Sequence, residues 1–218
     1  MSRRTEKKPI DHRLLDTAID YFGRQGLEGA STRAIAAGAK TAMSSITYHY
    51  GGKEGLYAAC ARHIAQQIHE RMEQVMAAAR PTSQLTPAAA IEEILAMIDS
   101  FLQVMLNPES APWARFIVRE QMDPTDAFRI LWEEVFSPMT GRLISLVRCA
   151  SDGRRDEGQV RIHAATLIGQ VLFFRVARET ALRMMDWEDI DARRAGEIRR
   201  AIHANVHALL APHEAGAK

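Results

Sequence analysis

Apolar residues return every three to four positions along most of this chain. Leu14, Leu15, Ala18, Ile19 and Phe22 follow the rhythm of one helix face. Gly23 and Gly26 close that helix, and Gly26 suits its C-terminal glycine. A short helix follows, capped by Ser31 or Thr32, carrying Ile35 and Ala36 and stopping near Gly38. A third short helix covers residues 42–50 and breaks at Gly51-Gly52. The rhythm then runs long, from Leu56 and Tyr57 through Cys60, Ile64, Ile68 and Met72 to Met76, and predicts a helix that ends before Pro81. Residues 81–87 (PTSQLTP) read as a linker, with Thr86 and Pro87 placed to cap and start the next helix. Further helices are expected at 88–106, 112–121, 125–149, 156–184 and 188–210. No segment alternates with period two, so the fold class is all-α, with about nine helices.

Composition leaves this picture intact. The 218 residues are 47% hydrophobic and 25% charged, as in an ordinary globular protein. The longest near-apolar run, 164–174, is interrupted by Gly169 and Gln170 and falls short of the roughly 20 residues that a membrane span needs. Cys60 and Cys149 form no CxxC pair, which fits a reducing cytoplasm and offers no metal or redox motif. The basic N-terminus, MSRRTEKKPIDHR, lacks the apolar stretch of a signal peptide. Charge does change the picture. Residues 1–53 hold nine Lys/Arg against five acids, while the whole chain carries only +1. A basic end on a mildly acidic body points to an anionic partner there.

The stretch SSITYHYGGKEGLY raises the question of which phosphate that partner carries. A nucleotide-binding loop needs GxxxxGK followed by Ser or Thr, after a strand. Here Gly52-Lys53 is followed by Glu54, Thr47 stands at the first glycine position, and the preceding segment is helical. Two short helices joined by a turn form instead a helix-turn-helix, whose second helix enters the major groove. Ser44, Ser45 and Thr47 suit the outward face, and Ile46 and Tyr50 the inward one. Lys53 opens a long helix, whose free N–H groups favour a phosphate.

The run STRAIAAGAKTAMSSITYHYGGKEGLYAA resembles the DNA-binding signature of the TetR family of bacterial transcriptional regulators. Phe22, Gly26, Ser31-Thr32-Arg33, Ile35-Ala36, Ile46-x-Tyr48-His49-Tyr50 and Gly52-Lys53-Glu54-x-Leu56 carry the likeness. It implies an all-helical homodimer: a three-helix DNA-binding head, expected at residues 8–68, and a helical body for ligand binding and dimerisation, expected at 86–212. It also implies that Thr32 and Arg33 contact DNA, with Arg33 reading a base. Met43, Ser45 and Thr47 fall where family members read bases, and Tyr48, His49 and Lys53 where they hold phosphates. Two positions depart from the pattern. Lys40 stands at a turn glycine, so either it adopts a left-handed conformation or the turn is rearranged. Ala42 stands at a capping position.

In the body, Ala192, Ala195, Ile198, Ile202, Val206 and Leu209 form a stripe, and the segment 160–182, with Ile162, is apolar on several sides. The resemblance implies that the last two helices build a four-helix dimer interface. Ordinary intrachain core accounts for part of the stripe. WARFIVREQMDPT and GQVLFFRVARET resemble the CecR-like subgroup of the same family, which implies a hydrophobic or drug-like effector. Trp113, Phe116, Glu120, Gln170, Phe174 and Arg178 are candidates to line its pocket, because polar groups on apolar helices need a partner. A structural ion pair accounts equally for Glu120 and Arg178. His203 and His207 lack a third ligand, and no nucleophile-base spacing stands out. The expectation is a non-enzymatic, cytoplasmic repressor without metal or cofactor. It would bind a palindromic double-stranded DNA operator and be released by its effector. The alternative is an all-helical small-molecule binding protein that reads no DNA sequence.

Overall fold

The computed structural model describes residues 10–210. The basic arm at residues 1–9 and the last positions of the expected body, 211–212, lie outside them. Each segment expected to be helical contains an α-helix, though the last one starts only at Ala192, and no strand occurs among the described residues.

The chain divides into two compact units. The first contains α1 (Ile10–Gly29), α2 (Thr32–Gly38), α3 (Met43–Tyr50) and α4 (Lys53–Ala77) as far as Gln67, together with Ala111–Glu134. That last segment holds α6 (Ala111–Met122) and α7 (Asp126–Leu131). The core of this unit gathers Leu14, Ile19, Phe22, Ile35, Ile46, Leu56, Ile64 and Phe116, all essentially inaccessible to solvent. α1 turns at Gly26, where φ is 76° and ψ 176°, a conformation open to glycine alone among common residues. α6 lies close against α1: a Cβ on Gly23 would meet the Phe116 backbone nitrogen at 3.3 Å. Arg115 and Asp20 pair across the same contact at 2.6 Å.

The second unit contains the remainder of α4, α5 (Pro87–Leu106) and the chain from Val135 onward. This latter part is built from α8 (Ser137–Ser151), α9 (Glu157–Val176), α10 (Arg178–Met184) and α11 (Ala192–Leu210). α5 is its centre and packs on α8, α9 and α11. Thr86 caps α5 by accepting from the Ala89 N–H at 3.2 Å, with Pro87 at its first position. Asp156 and Gln159 form a reciprocal capping box on α9.

Two of the expected helices are interrupted. The segment 125–149 contains a π-turn at Trp132–Phe136. Pro138 follows, with no N–H for the Glu134 carbonyl and a ring that crowds it, which favours a widened turn. The segment 156–184 breaks at Ala177, and α9 and α10 meet at 87°. No proline or glycine marks that break. Among the described residues no single helix is long and apolar enough to cross a membrane.

Candidate nucleic-acid interface

α2 begins at Ser31, whose hydroxyl accepts from the Ala34 N–H. It ends in a left-handed residue, and that residue is Lys40, with φ 53°. Thr41 N–H reaches the Ala36 carbonyl at 3.0 Å and Lys40 N–H the Ala37 carbonyl at 3.1 Å. This is the paired bonding of a Schellman ending, built without its usual glycine. Of the two outcomes open for the turn, the left-handed Lys40 is the one adopted. Arg13 adds a further cap, donating from Nε to the Ala39 carbonyl at 2.9 Å. Ala42 then starts α3 with no side-chain cap.

α3 turns Ile46 inward, where it is buried. Met43, Ser44, Thr47 and Tyr48, at i, i+1, i+4 and i+5, share the exposed face. Tyr48 is 85% exposed and Met43 55%, two large side chains on the same face of α3. Ser45 is half-buried and accepts from the Thr41 hydroxyl at 3.5 Å. His49 is exposed, its ring edge-on to Tyr48 with centroids 4.9 Å apart. On α2, Arg33 is exposed and Thr32 half-buried.

Gly51 ends α3 in the left-handed conformation, and its N–H bonds the Thr47 carbonyl at 3.0 Å. Sequence reasoning passed over Gly55. A Cβ there would lie 1.7 Å from the Tyr50 carbonyl oxygen, so the first turn of α4 can press on the end of α3 only with glycine at this position. The signal was available: a glycine inside the first turn of a helix costs about 1 kcal/mol relative to alanine and needs a compensating reason. Lys53 is half-buried, and its ammonium donates to the Glu28 carbonyl at 2.8 Å. Two further ammonium hydrogens remain on that nitrogen, which the bond holds in place at the start of α4.

The six pocket candidates fall in both units. Trp113, Phe116 and Glu120 belong to the first and are buried. Glu120 is 1% exposed. It accepts from the Tyr57 hydroxyl at 2.6 Å, from the Thr125 hydroxyl at 2.9 Å and from the Thr125 N–H at 3.1 Å. The Tyr57 ring rests against Phe22 and Phe116, with centroids 4.8 and 4.6 Å away. Burial pushes the Tyr57 hydroxyl far above the ordinary tyrosine range, and the hydrogen bond and charge of Glu120 add to the rise. Gln170, Phe174 and Arg178 belong to the second unit. Gln170 accepts from Asn205 at 2.8 Å, Arg178 pairs with Asp189, and the Phe174 ring meets Phe173 edge-on.

Ile198, Ile202 and Val206 are buried within their own chain, where α11 packs on α5, α8 and α9. These three side chains belong to the core of their own chain. Leu209 is half-buried, and Ile162 is 65% exposed. His203 lies 2.7 Å from Asp99, which also binds Arg199. No group of three or more His, Cys, Asp or Glu that could hold a metal occurs among the described residues.

The family model "Bacterial regulatory proteins, tetR family" matches residues 14–60, and "HTH-type transcriptional dual regulator CecR, C-terminal domain" matches residues 90–212. The chain is 32% identical over 200 residues to the HTH-type transcriptional dual regulator CecR of Shigella flexneri, covering 90% of this chain and 89% of that protein. It is 26% identical over 159 residues to the HTH-type transcriptional repressor AcnR of Corynebacterium efficiens, covering 71% and 74%. The crystal structure of AibR in complex with isovaleryl coenzyme A and operator DNA shares the fold. There the TM-score is 0.67 at 17% identity, covering 94% of this chain and 100% of that one.

Proposed function

Because the chain belongs to the tetR family of bacterial regulatory proteins, with a C-terminal domain of the CecR type, we propose that it is a cytoplasmic, ligand-responsive repressor. It binds a palindromic operator as a homodimer and leaves it when a small hydrophobic or drug-like effector binds the body. The DNA-binding part is residues 8–68 and the effector and dimerisation part 86–212. The observation that carries this reading is the exposed row Met43, Ser44, Thr47 and Tyr48 on α3, held between the Lys40 turn and the Gly51–Gly55 junction. Arg33 adds a guanidinium able to read guanine, and Lys53 a fixed ammonium able to hold a phosphate.

One eight-residue helix reads too few bases for a specific site, so two copies must act together, with half-sites about 34–36 Å apart. The apolar face left open on the body is not the Ile198 stripe but its neighbour. Ile162, Ala165 and Gly169 on α9 and Ala201, Ala204 and Ala208 on α11 are exposed, and small residues let helices approach closely. Two copies of this face make the four-helix interface. The name of AcnR supports repression, and that of CecR adds the option of acting in both directions. AibR supports the pairing of operator and small-molecule binding on this fold. The effector acts only through a difference in affinity between the DNA-competent and released states.

The test is a salt titration of binding to the DNA upstream of the protein's own gene, against random DNA. The repressor reading expects tighter binding to the first, weakened by the effector. Arg33→Ala should cost about 1–3 kcal/mol at particular base pairs. Lys53→Ala should weaken every sequence alike and reduce the salt slope by about one. Equal affinity for both DNAs would leave the chain as a helical small-molecule binding protein.

A further inference from the structure

We infer that α3 reads thymine methyl groups, with Met43 and Thr47 as the residues that set this preference. The inference rests on the reading of α3 as the groove-entering helix. Its eight residues, MSSITYHY, include no Arg, Lys, Asn, Gln, Asp or Glu. Strong discrimination by hydrogen bonding in the major groove comes from charged or amide side chains: Arg or Lys on guanine, Asn or Gln on adenine, an acid on cytosine. None of these stands on α3. Across α2 and α3 together the one such side chain is Arg33. The hydroxyls of Ser44, Ser45 and Thr47 can donate or accept, so they tolerate several bases.

What α3 does present is apolar. Met43 is 55% exposed at the first position of the helix, and Thr47, one turn later on the same side, is exposed and carries a γ-methyl. The uncapped Ala42 precedes them, also exposed, so the leading edge of the helix is a short strip of methyl and thioether groups. Only one base carries an apolar group in the major groove, and that is thymine with its 5-methyl. The thioether of methionine is soft and adaptable, suited to such a contact. Each half-site therefore combines a guanine under Arg33 with thymines under Met43 and Thr47.

Uracil tests this directly, because it pairs as thymine does and lacks only the methyl. The probe is a duplex selected from random DNA by the full-length protein, then rebuilt with uracil at one thymine at a time. Uracil at the two contacted positions should each weaken binding about fourfold, the worth of one buried methyl-sized group. Met43→Ala should abolish the response at one of these positions and leave the other. Met43→Leu should retain it. Met43 is exposed, so unchanged thermal melts are expected for both variants. Specific binding that ignores uracil everywhere, or selected half-sites without thymine, would overturn the inference and leave the regulator reading intact. Failure to select any sequence over random DNA would overturn both.

Discussion

α3 and α6 each carry residues on the wrong side of the usual rule. α3 exposes Met43 and Tyr48, and α6 buries Glu120. From the sequence both look like invitations to a partner, DNA in one case and an effector in the other. The structure separates them. Glu120 has three hydrogen bonds from its own chain, two of them on one oxygen. Its burial is therefore compensated, and it needs no ligand to explain it. Nothing comparable covers Met43 or Tyr48, which remain largely in solvent. An out-of-place side chain points outward only when its own chain leaves it unsatisfied.

The contrast breaks most completely where α3 joins α4. Gly55→Ala places a methyl where 1.7 Å separates it from the Tyr50 oxygen, and backbone on both sides must shift. A cost of at least about 3 kcal/mol is expected, the upper range for overpacking. Thermal unfolding would register the loss, and operator binding should disappear with it. A variant that melts like the parent would mean that the junction is not rigid, and that α3 is not held by α4.

Glu120→Ala attacks the other side of the comparison. It strands the buried Tyr57 hydroxyl and removes the acceptor of both the Thr125 N–H and the Thr125 hydroxyl, so about 2–3 kcal/mol should be lost in denaturant titrations. Glu120→Gln keeps the shape and an acceptor oxygen, and should recover part of the loss. If either variant lost effector response with stability unchanged, Glu120 would be a pocket residue.

These two sites also show how legibility divides. The head is local: Ser31 caps α2, Ile35 and Ile46 face inward, and Gly51 ends α3, all within 21 residues and all set by spacing and turn chemistry. Glu120 meets Tyr57 across 63 residues of chain, and no periodic pattern encodes that partner. The Ile198–Val206 stripe was equally visible as an apolar face. Periodicity says that a face is covered, not whether the cover is the same chain or a second copy. The exposed Ala201–Ala204–Ala208 side was overlooked because small residues give a weak apolar signal. The break at Ala177 has no marker in the sequence at all.

Tyr57 sharpens the comparison further. Its hydroxyl keeps its proton in the folded chain well beyond the ordinary range, whereas in the unfolded chain it ionises at about 10. Folding then binds the extra proton above that pH. The stability linked to it is complete below pH 10 and falls as pH rises, by up to about 1.4 kcal/mol per pH unit. Tyr57→Phe should flatten this alkaline decline in stability measured between pH 10 and 11. A slope equal to that of the parent would mean that other groups carry it.

The smallest effect concerns the uncapped start of α3. Ala42 has extended backbone angles (φ −75°, ψ 142°), which suit a cap, but no side chain to accept an N–H. Ala42→Ser supplies a hydroxyl for the Ser45 or Ser44 N–H without moving the backbone, and should add about 1 kcal/mol. Hydrogen exchange at Ser44 and Ser45 should slow accordingly, while α6, fixed by Glu120, should exchange as before. The gain in stability need not be a gain in function. Ala42 adjoins the methyl strip of Met43 and Thr47, and a hydroxyl there competes with an apolar contact. Ala42→Ser should therefore stabilise the free protein and leave operator affinity unchanged or lower. If affinity rose together with stability, the leading edge of α3 would be limited by order, not by its apolar character, and the contrast with α6 would rest on rigidity alone.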